Sequence, residues 1–262
     1  AGVIDRSAVA FVATPKLRSA DAGIITAGQH HEHSSHVIPP KQREFAMNGY
    51  CAAECTANFP PGGINVFSTM QHGHAFLSKV WTSVYRGHAK VAELGRENHH
   101  TMLWQNIAKL DAHVKILPGD TVATTCVYDT SRAEKVVLAG ESTTQEMCVT
   151  FLYHYPASDI GFCRSFVSNA SVHEWLRDEE HYSGGEPTPQ EAAKLYEQAK
   201  WDDEKVLSLK ELYATAPINI ACDGLSGKNY AAGLPKTGVP LHRVNGAREE
   251  RLTGRECLAA ND

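Results

Sequence analysis

Residues 65–81 read NVFSTMQHGHAFLSKVW, a stretch with the alternation of a β-strand. Successive side chains on a strand point to opposite faces, so residues two apart point the same way. On that geometry His72 and His74 present two imidazoles on one face, with Gly73 between them. Such a pair suits a metal ion. In a chain with 14 histidines it can also arise by chance, so the pair needs further support.

Short strands separated by turns are predicted on both sides of this stretch. The predicted strands are 43–52, 63–69, 76–85, 89–94, 113–117, 121–128, 135–139 and 147–155. Turn-forming sequences separate them, among them PPGG at 60–63, PGD at 118–120 and DTS at 129–131. Many short strands at near-regular spacing predict an all-β fold, an antiparallel β-sandwich of the jelly-roll type.

After Pro156 the pattern becomes helical. Helices are predicted at 171–177, 189–199 and 203–214, and Pro189 suits a first helical position with Thr188 as N-cap. From Gly224 onward, glycine, proline and charge predict an irregular tail. We therefore predict a sandwich over residues 1–160. A partly helical, irregular extension over residues 161–262 is expected to be joined to it by disulfides.

Charge and hydropathy exclude two classes of partner. The net charge of −5 offers no basic surface for nucleic acid. No apolar run approaches the roughly 20 residues that a membrane-spanning helix needs, so no membrane span is expected. The first residues, AGVIDRSAVAF, lack the layout of a signal peptide. We interpret the missing layout in one of two ways: a leader was already removed, or the sequence is a fragment of a longer chain.

The cysteines favour an oxidising compartment. The seven cysteines are Cys51, Cys55, Cys126, Cys148, Cys163, Cys222 and Cys257. They contain no CxxC pair, which argues against zinc ribbons and thioredoxin-like sites, whereas disulfides with one thiol left over fit their spacing. A cytosolic protein with buried free thiols is the less favoured alternative. The sequon Asn169-Ala170-Ser171 is a candidate glycosylation site and agrees with a secreted or vesicle-lumen protein.

A third candidate ligand lies in residues 140–153, GESTTQEMCVTFLY. Most methionines fill gaps in a core, which remains the plain explanation for Met147. Together with His72 and His74, however, its thioether suits copper, because soft sulfur favours Cu(I) and the nitrogens tolerate Cu(II). We therefore take His72, His74 and Met147 as candidate metal ligands and catalytic residues.

Several separate motifs carry a family resemblance. FSTMQHGHAF, LPGDTVATTCVYDT, GESTTQEMCVTFLYHYP and GYCAAEC, in the span of roughly 21–223, together resemble the C-terminal copper domain of type II, ascorbate-dependent monooxygenases. The late stretch LKELYATAPINIAC is more similar to the dopamine β-monooxygenase and tyramine branch than to the peptide-hydroxylating branch. The resemblance implies that His72, His74 and Met147 hold the oxygen-binding copper. It also implies insertion of one atom of O2 into an activated C–H bond.

The resemblance implies a disulfide pattern as well. The implied pairs are Cys51–Cys163, Cys55–Cys222 and Cys126–Cys148. The third pair would restrict where the thioether of Met147 can lie. Cys257 is left without a partner in this chain, and it is expected to pair with a cysteine elsewhere in the polypeptide or with a second chain.

Two departures from the peptide-hydroxylating branch bear on the substrate. That branch holds a substrate carboxylate with an arginine and a tyrosine at the positions occupied here by Met70 and Phe151. Neither Met70 nor Phe151 can bind a carboxylate. A small, phenylethylamine-like substrate is therefore more compatible than a peptide.

A larger departure concerns electron supply. In the family an N-terminal domain holds a second copper that passes electrons from ascorbate, and this chain begins where that domain would end. We expect that domain in the precursor or on another chain. Local histidines offer no clear substitute: His99-His100 is typical of a turn after Asn98. Four further histidines lie close together in the sequence: His30, His31, His33 and His36. They form either an adventitious copper or zinc site or a solvated loop.

Three hypotheses of different classes follow. The first is the catalytic half of a copper monooxygenase, which we favour. The second is a copper-binding module that does not hydroxylate. The third is an extracellular structural or interaction domain that keeps only the disulfide scaffold, and the presence of all three implied ligands argues against it.

Overall fold

The computed structural model describes residues 2, 6–29 and 34–235. The strands in this part are β1 (Gly23–Gln29), β2 (Val37–Ile38), β3 (Phe45–Cys51), β4 (Ile64–His72), β5 (Leu77–Arg86), β6 (Ala89–Glu97), β7 (Ala108–Ile116), β8 (Thr121–Tyr128), β9 (Val137–Leu138), β10 (Cys148–Tyr155), β11 (Ile160–Val167), β12 (Ile218–Gly224) and β13 (Asn229–Gly233). The helices are α1 (Ala53–Thr56), α2 (Asn169–Glu180), α3 (Pro189–Gln198) and α4 (Asp203–Thr215). Each of the eight predicted strands has a counterpart, and so has each predicted helix.

Two antiparallel sheets form the body of the protein. One has seven strands in the order β13-β12-β11-β1-β10-β4-β7, and the other has four in the order β3-β8-β5-β6. The parallel pairing of β1 with β11 is an exception. Ile25 and Leu152 from the larger sheet are buried together with Val84 and Val122 from the smaller one. The predicted all-β sandwich is therefore confirmed.

The helices cover a second apolar core on the smaller sheet. Phe45 and Val80 of that sheet are buried with Trp175, Leu176 and Leu209 of the helices. Each long helix begins at a side-chain cap, and α3 has a full capping box with Pro189 at its start, as predicted. The longest described helix has 13 residues. Among the described residues, no helix combines the length and apolar character needed to cross a membrane.

The extension is built into the sandwich. Strands β11, β12 and β13 all follow the predicted boundary near residue 160, yet they hydrogen-bond into the seven-stranded sheet. The division at that residue remains a prediction. Strand β13 lies within the stretch predicted to be irregular, so that prediction is wrong for Asn229–Gly233. These residues form a strand because their backbone pairs with β12. Residues 236–262 are outside the described part of the chain.

A buried polar network fixes which face of β4 points inward. Gln71 is 3% exposed, and its side-chain oxygen accepts hydrogen bonds from Thr82 at 3.1 Å and from Thr150 at 2.7 Å. Thr124 joins the same hydroxyl cluster between the two sheets. Because neighbouring residues of a strand face opposite ways, the inward Gln71 directs the next side chain, His72, to the outer face of the sheet.

Acidification is expected to destabilise the fold through His154. This side chain is fully buried, and its Nε2 has no hydrogen-bond partner among the described residues. Burial lowers the pKa of His154 from its usual 6.5, so the unfolded chain takes up the proton more readily than the folded one. Stability is therefore unaffected well above that value and falls as the pH drops below it. One such group contributes at most about 1.4 kcal/mol per pH unit.

Thermal unfolding of the wild type and H154Q from about pH 7.5 to about pH 5.5 measures this effect. Glutamine is neutral throughout, so the melting temperature of H154Q is expected to depend less on pH. Parallel pH profiles for the two proteins would contradict the assignment.

Candidate metal centre

The two candidate histidines lie where the chain leaves one sheet for the other. His72 is the last residue of β4, whereas His74 lies in the irregular segment that leads to β5 in the smaller sheet. The expectation that both histidines lie on one strand is therefore wrong for His74. The two rings are nevertheless neighbours, with centroids 5.3 Å apart and planes at 87°. The pair is brought together by a tight connection rather than by strand alternation.

Both imidazoles are held through the same ring nitrogen. Nδ1 of His74 lies 2.9 Å from the carbonyl oxygen of Gln145. Nδ1 of His72 lies 2.5 Å from the side-chain oxygen of Gln105. Both partners are acceptors, so each Nδ1 carries the proton and donates it. The Nε2 of each ring therefore keeps its lone pair for a metal ion, which is how metal-binding histidines are usually oriented.

Gln105 was not singled out from the sequence. Its amide nitrogen donates to the carbonyl oxygens of Gly73 at 3.3 Å and Met102 at 3.2 Å. These two acceptors fix which end of the amide is oxygen, and so they aim that oxygen at His72. Gln105 lies between β6 and β7, more than 30 residues from His72 along the chain. Only the fold brings the two residues together.

Met147 immediately precedes β10, which pairs with β4. Val149 lies opposite His72, so Met147 and His74 extend from adjacent ends of the paired strands. A side-chain carbon built on Gly73 would lie 3.0 Å from the Met147 carbonyl oxygen, which shows how closely the two segments approach. The hydroxyl of Tyr128 donates to that oxygen at 2.8 Å. The structure thus places Met147 beside the histidine turn.

The electrostatic setting favours a neutral His72. Burial is the main cause that lowers the pKa of His72, and the nearby His74 and His100 lower it further, while the bond to Gln105 acts in the opposite direction. A metal ligand must be the neutral imidazole. His100 is not simply part of a turn, because its side chain is fully buried and bonds to Glu97 at 2.8 Å.

The donor set fits copper. Two imidazole Nε2 atoms and a thioether combine nitrogen with soft sulfur, the ligands that suit copper in both of its common oxidation states. His72 and Met147 are both partly exposed, so the site opens to solvent on one side.

Comparison with known proteins agrees with this chemistry. Residues 20–175 match the family described as "Copper type II ascorbate-dependent monooxygenase, C-terminal domain". The match covers more than half of the chain. This chain belongs to that family.

Individual relatives of this copper monooxygenase domain include amine hydroxylases. It is 42% identical to a tyramine beta-hydroxylase of Caenorhabditis briggsae over 175 residues, 67% of this chain and 30% of the relative. It is 30% identical to the dopamine beta-hydroxylase of Bos taurus over 240 residues, 90% of this chain and 39% of the relative. A DBH-like monooxygenase protein 1 of Gallus gallus is 29% identical over 236 residues, 84% of this chain and 38% of that protein. The chain thus spans well under half the length of these relatives.

An apolar wall flanks the site of the copper monooxygenase domain. Phe151 and Met70 are cross-strand partners on β10 and β4, and both are partly exposed. The ring of Phe151 lies 5.8 Å from that of His72 and meets it edge to face. The surface next to the histidines is therefore apolar. It carries Met70 and Phe151 at the positions where the peptide-hydroxylating branch is expected to hold a carboxylate.

Three disulfides brace the described part of the chain, and each joins a pair that the resemblance implies. Cys51–Cys163 links the two sheets, and Cys55–Cys222 ties α1 to β12. Cys126–Cys148 links β8 to the first residue of β10, directly after Met147. The third disulfide therefore restricts the chain at the candidate ligand.

The remaining predicted sites are only partly visible. His30, His31, His33 and Cys257 lie outside the described residues. The neighbouring Ser34, Ser35 and His36 are buried, so this part is not a solvated loop. Tyrosines from the helices cover it: the Tyr196 hydroxyl donates to the Ser34 carbonyl at 2.7 Å.

Asn169 of the sequon is the first residue of α2.

Proposed function

We propose that this domain binds one copper ion through His72, His74 and Met147 and forms the oxygen-activating half of a monooxygenase. The observation that carries the proposal is the shared orientation of the two imidazoles, whose Nδ1 atoms are both engaged as donors. This leaves two Nε2 atoms directed away from their protein partners, beside the segment that carries a thioether. Copper bound there would supply the redox chemistry that activates O2, one electron at a time.

The protein's own residues define the rest of the site. Gln105 and the Gln145 carbonyl hold the rings in one tautomer, and the disulfide Cys126–Cys148 restricts the methionine segment. Each of these contacts acts before any metal binds, so the site is preorganised.

The proposed reaction is hydroxylation of an activated C–H bond in a small, phenylethylamine-like amine. The apolar pair of Met70 and Phe151 supports an aromatic substrate without a carboxylate, since such a surface buries a ring and offers no cation. The names of the tyramine and dopamine relatives point to the same class.

Electrons are proposed to come from ascorbate through a second copper domain outside this sequence. The relatives are much longer than the stretch they share with this chain, which leaves room for such a domain. On its own, this chain is expected to bind copper and to hydroxylate slowly. The three buried disulfides support a secreted or vesicle-lumen location, and Asn169 and Cys257 are proposed as a glycosylation site and as a cysteine that pairs outside this domain.

Replacing Met147 with isoleucine tests the ligand set. Metal analysis of the reduced wild type is expected to give about one copper per chain, and its X-ray absorption spectrum is expected to show a sulfur neighbour. M147I is expected to lose the sulfur while keeping the nitrogen neighbours. M70I is the matched control, because it removes a partly exposed methionine from β4, the strand that ends at His72. Sulfur scattering that survives in M147I, or a wild type without copper, would refute the proposal.

A domain that binds copper without hydroxylating would give the same spectrum. The two functions are separated by adding a copper-loaded N-terminal domain of an amine-hydroxylating relative, with ascorbate and tyramine. Hydroxylated product above that formed by either part alone supports the monooxygenase, and its absence favours the copper-binding module.

A further inference from the structure

The molecule contains a buried carboxylate that the proposed reaction does not use. Glu146 is 0% exposed, and within residues 34–235 no lysine or arginine pairs with it. A buried charge without a cationic partner is unfavourable for folding unless hydrogen bonds stabilise it. A residue of this kind therefore calls for an explanation beyond packing.

Its partners are backbone amides on both segments of the candidate copper site. Oε2 accepts from the amide of His74 at 2.9 Å and from the amide of Met147 at 3.3 Å. Oε1 accepts from the amide of Phe76 at 2.6 Å. One carboxylate oxygen is thus shared between the backbones of two candidate ligands that are distant in sequence.

We propose that Glu146 is a positioning residue of the copper site, which fixes the histidine turn relative to the methionine segment. This inference rests on the proposed function. Through its two oxygens the carboxylate sets the spacing of His74 and Met147 before a metal arrives.

Other contacts near the site act on one segment or on a side chain, whereas Glu146 joins the backbones of both segments. Gly73 permits the close approach of the turn to Met147, because a side-chain carbon there would lie 3.0 Å from the Met147 carbonyl oxygen and 2.4 Å from the Leu77 side chain. The bond from His74 Nδ1 to the Gln145 carbonyl orients the ring, whereas Glu146 holds the backbone. Burial raises the pKa of Glu146, and the three amide donors oppose that effect by favouring the ionised form.

The test replaces Glu146 with glutamine, which has the same shape but can accept through only one end. In E146Q at least one of the amide bonds is lost, so Cu(I) affinity is expected to fall by about 10–100-fold, as is usual for partners that orient metal ligands. X-ray absorption of reduced E146Q is expected to show a weakened or absent sulfur neighbour. In the metal-free protein, hydrogen exchange is expected to rise in peptides that cover the residue 73–77 turn.

Asp120→Asn is the matched control. Asp120 is 1% exposed and forms a two-pronged ion pair with Arg86. It directly precedes β8, whereas Tyr128, which bonds to Met147, is the last residue of that strand. D120N is expected to lower thermal stability and to leave Cu(I) affinity and sulfur scattering unchanged. A merely structural role for Glu146 would make E146Q behave as D120N does.

The failures of the two proposals are distinguishable. If the wild type binds copper with a sulfur neighbour and E146Q is unchanged, Glu146 does not position the site and the proposed function stands. If the wild type binds no copper, both fail. Should E146Q not fold, Glu146→Asp is measured in the same way, because it keeps both carboxyl oxygens on a shorter arm. Unfolding of both variants would overturn the inference by making Glu146 a residue of the fold.

Discussion

Alanine at both His72 and His74 is expected to reduce copper binding at this site to background. The double variant removes both Nε2 donors, and loss of a mere orienting partner already costs about 10–100-fold in metal affinity. The fold should survive, since His72 is partly exposed at the end of β4 and His74 keeps the backbone amide that bonds to Glu146. The expected loss is therefore one of binding rather than of structure.

Copper content and Cu(I) competition titrations against a chromophoric chelator measure this effect. The matched control is the double variant of His88 and His99, which removes two exposed histidines and is expected to bind copper as the wild type does. Copper bound adventitiously elsewhere would lack the thioether, so sulfur scattering identifies the site. A double variant of His72 and His74 that retains copper with an unchanged sulfur neighbour would contradict the assignment.

The strands around the site could be predicted because their signals are local. Turn sequences mark where strands begin: PPGG at 60–63 directly precedes β4, and PGD at 118–120 separates β7 from β8. Three of the strands that were missed, β1, β2 and β11, depend on distant partners. Strand β11 pairs in parallel with β1 and antiparallel with β12, so the residues at which it begins and ends are set by partners far away along the chain.

The candidate site divides in the same way. His72 and His74 are visible as a spaced pair, yet the spacing suggested a strand face and the structure instead has a strand end. Gln105 and Glu146 carry no local signal, because a glutamine in a loop and a glutamate before a methionine are ordinary in sequence. Their roles arise from hydrogen bonds between segments that only the fold brings together. The disulfide pairs, in turn, came from family resemblance rather than from spacing.

Removal of the Cys126–Cys148 disulfide is expected to affect both stability and copper. The two cysteines are 22 residues apart, and closing a loop of that size stabilises a fold by about 3 kcal/mol on the chain-entropy account. The alanine double variant should therefore unfold at lower temperature and lower urea concentration. Because Cys148 directly follows Met147, the thioether also loses an anchor, and Cu(I) affinity is expected to fall with it.

The Cys51–Cys163 pair supplies the control that separates the two effects. Its cysteines are 112 residues apart, so its loss is expected to cost more stability, nearly 5 kcal/mol on the same account. It joins β3 to β11 and does not adjoin the candidate ligands. Urea unfolding and Cu(I) titration at a temperature where both variants stay folded should therefore give opposite rankings. The Cys51–Cys163 variant is expected to be the less stable and the Cys126–Cys148 variant to bind Cu(I) more weakly. Equal Cu(I) affinities would show that the disulfide beside Met147 acts on the fold alone.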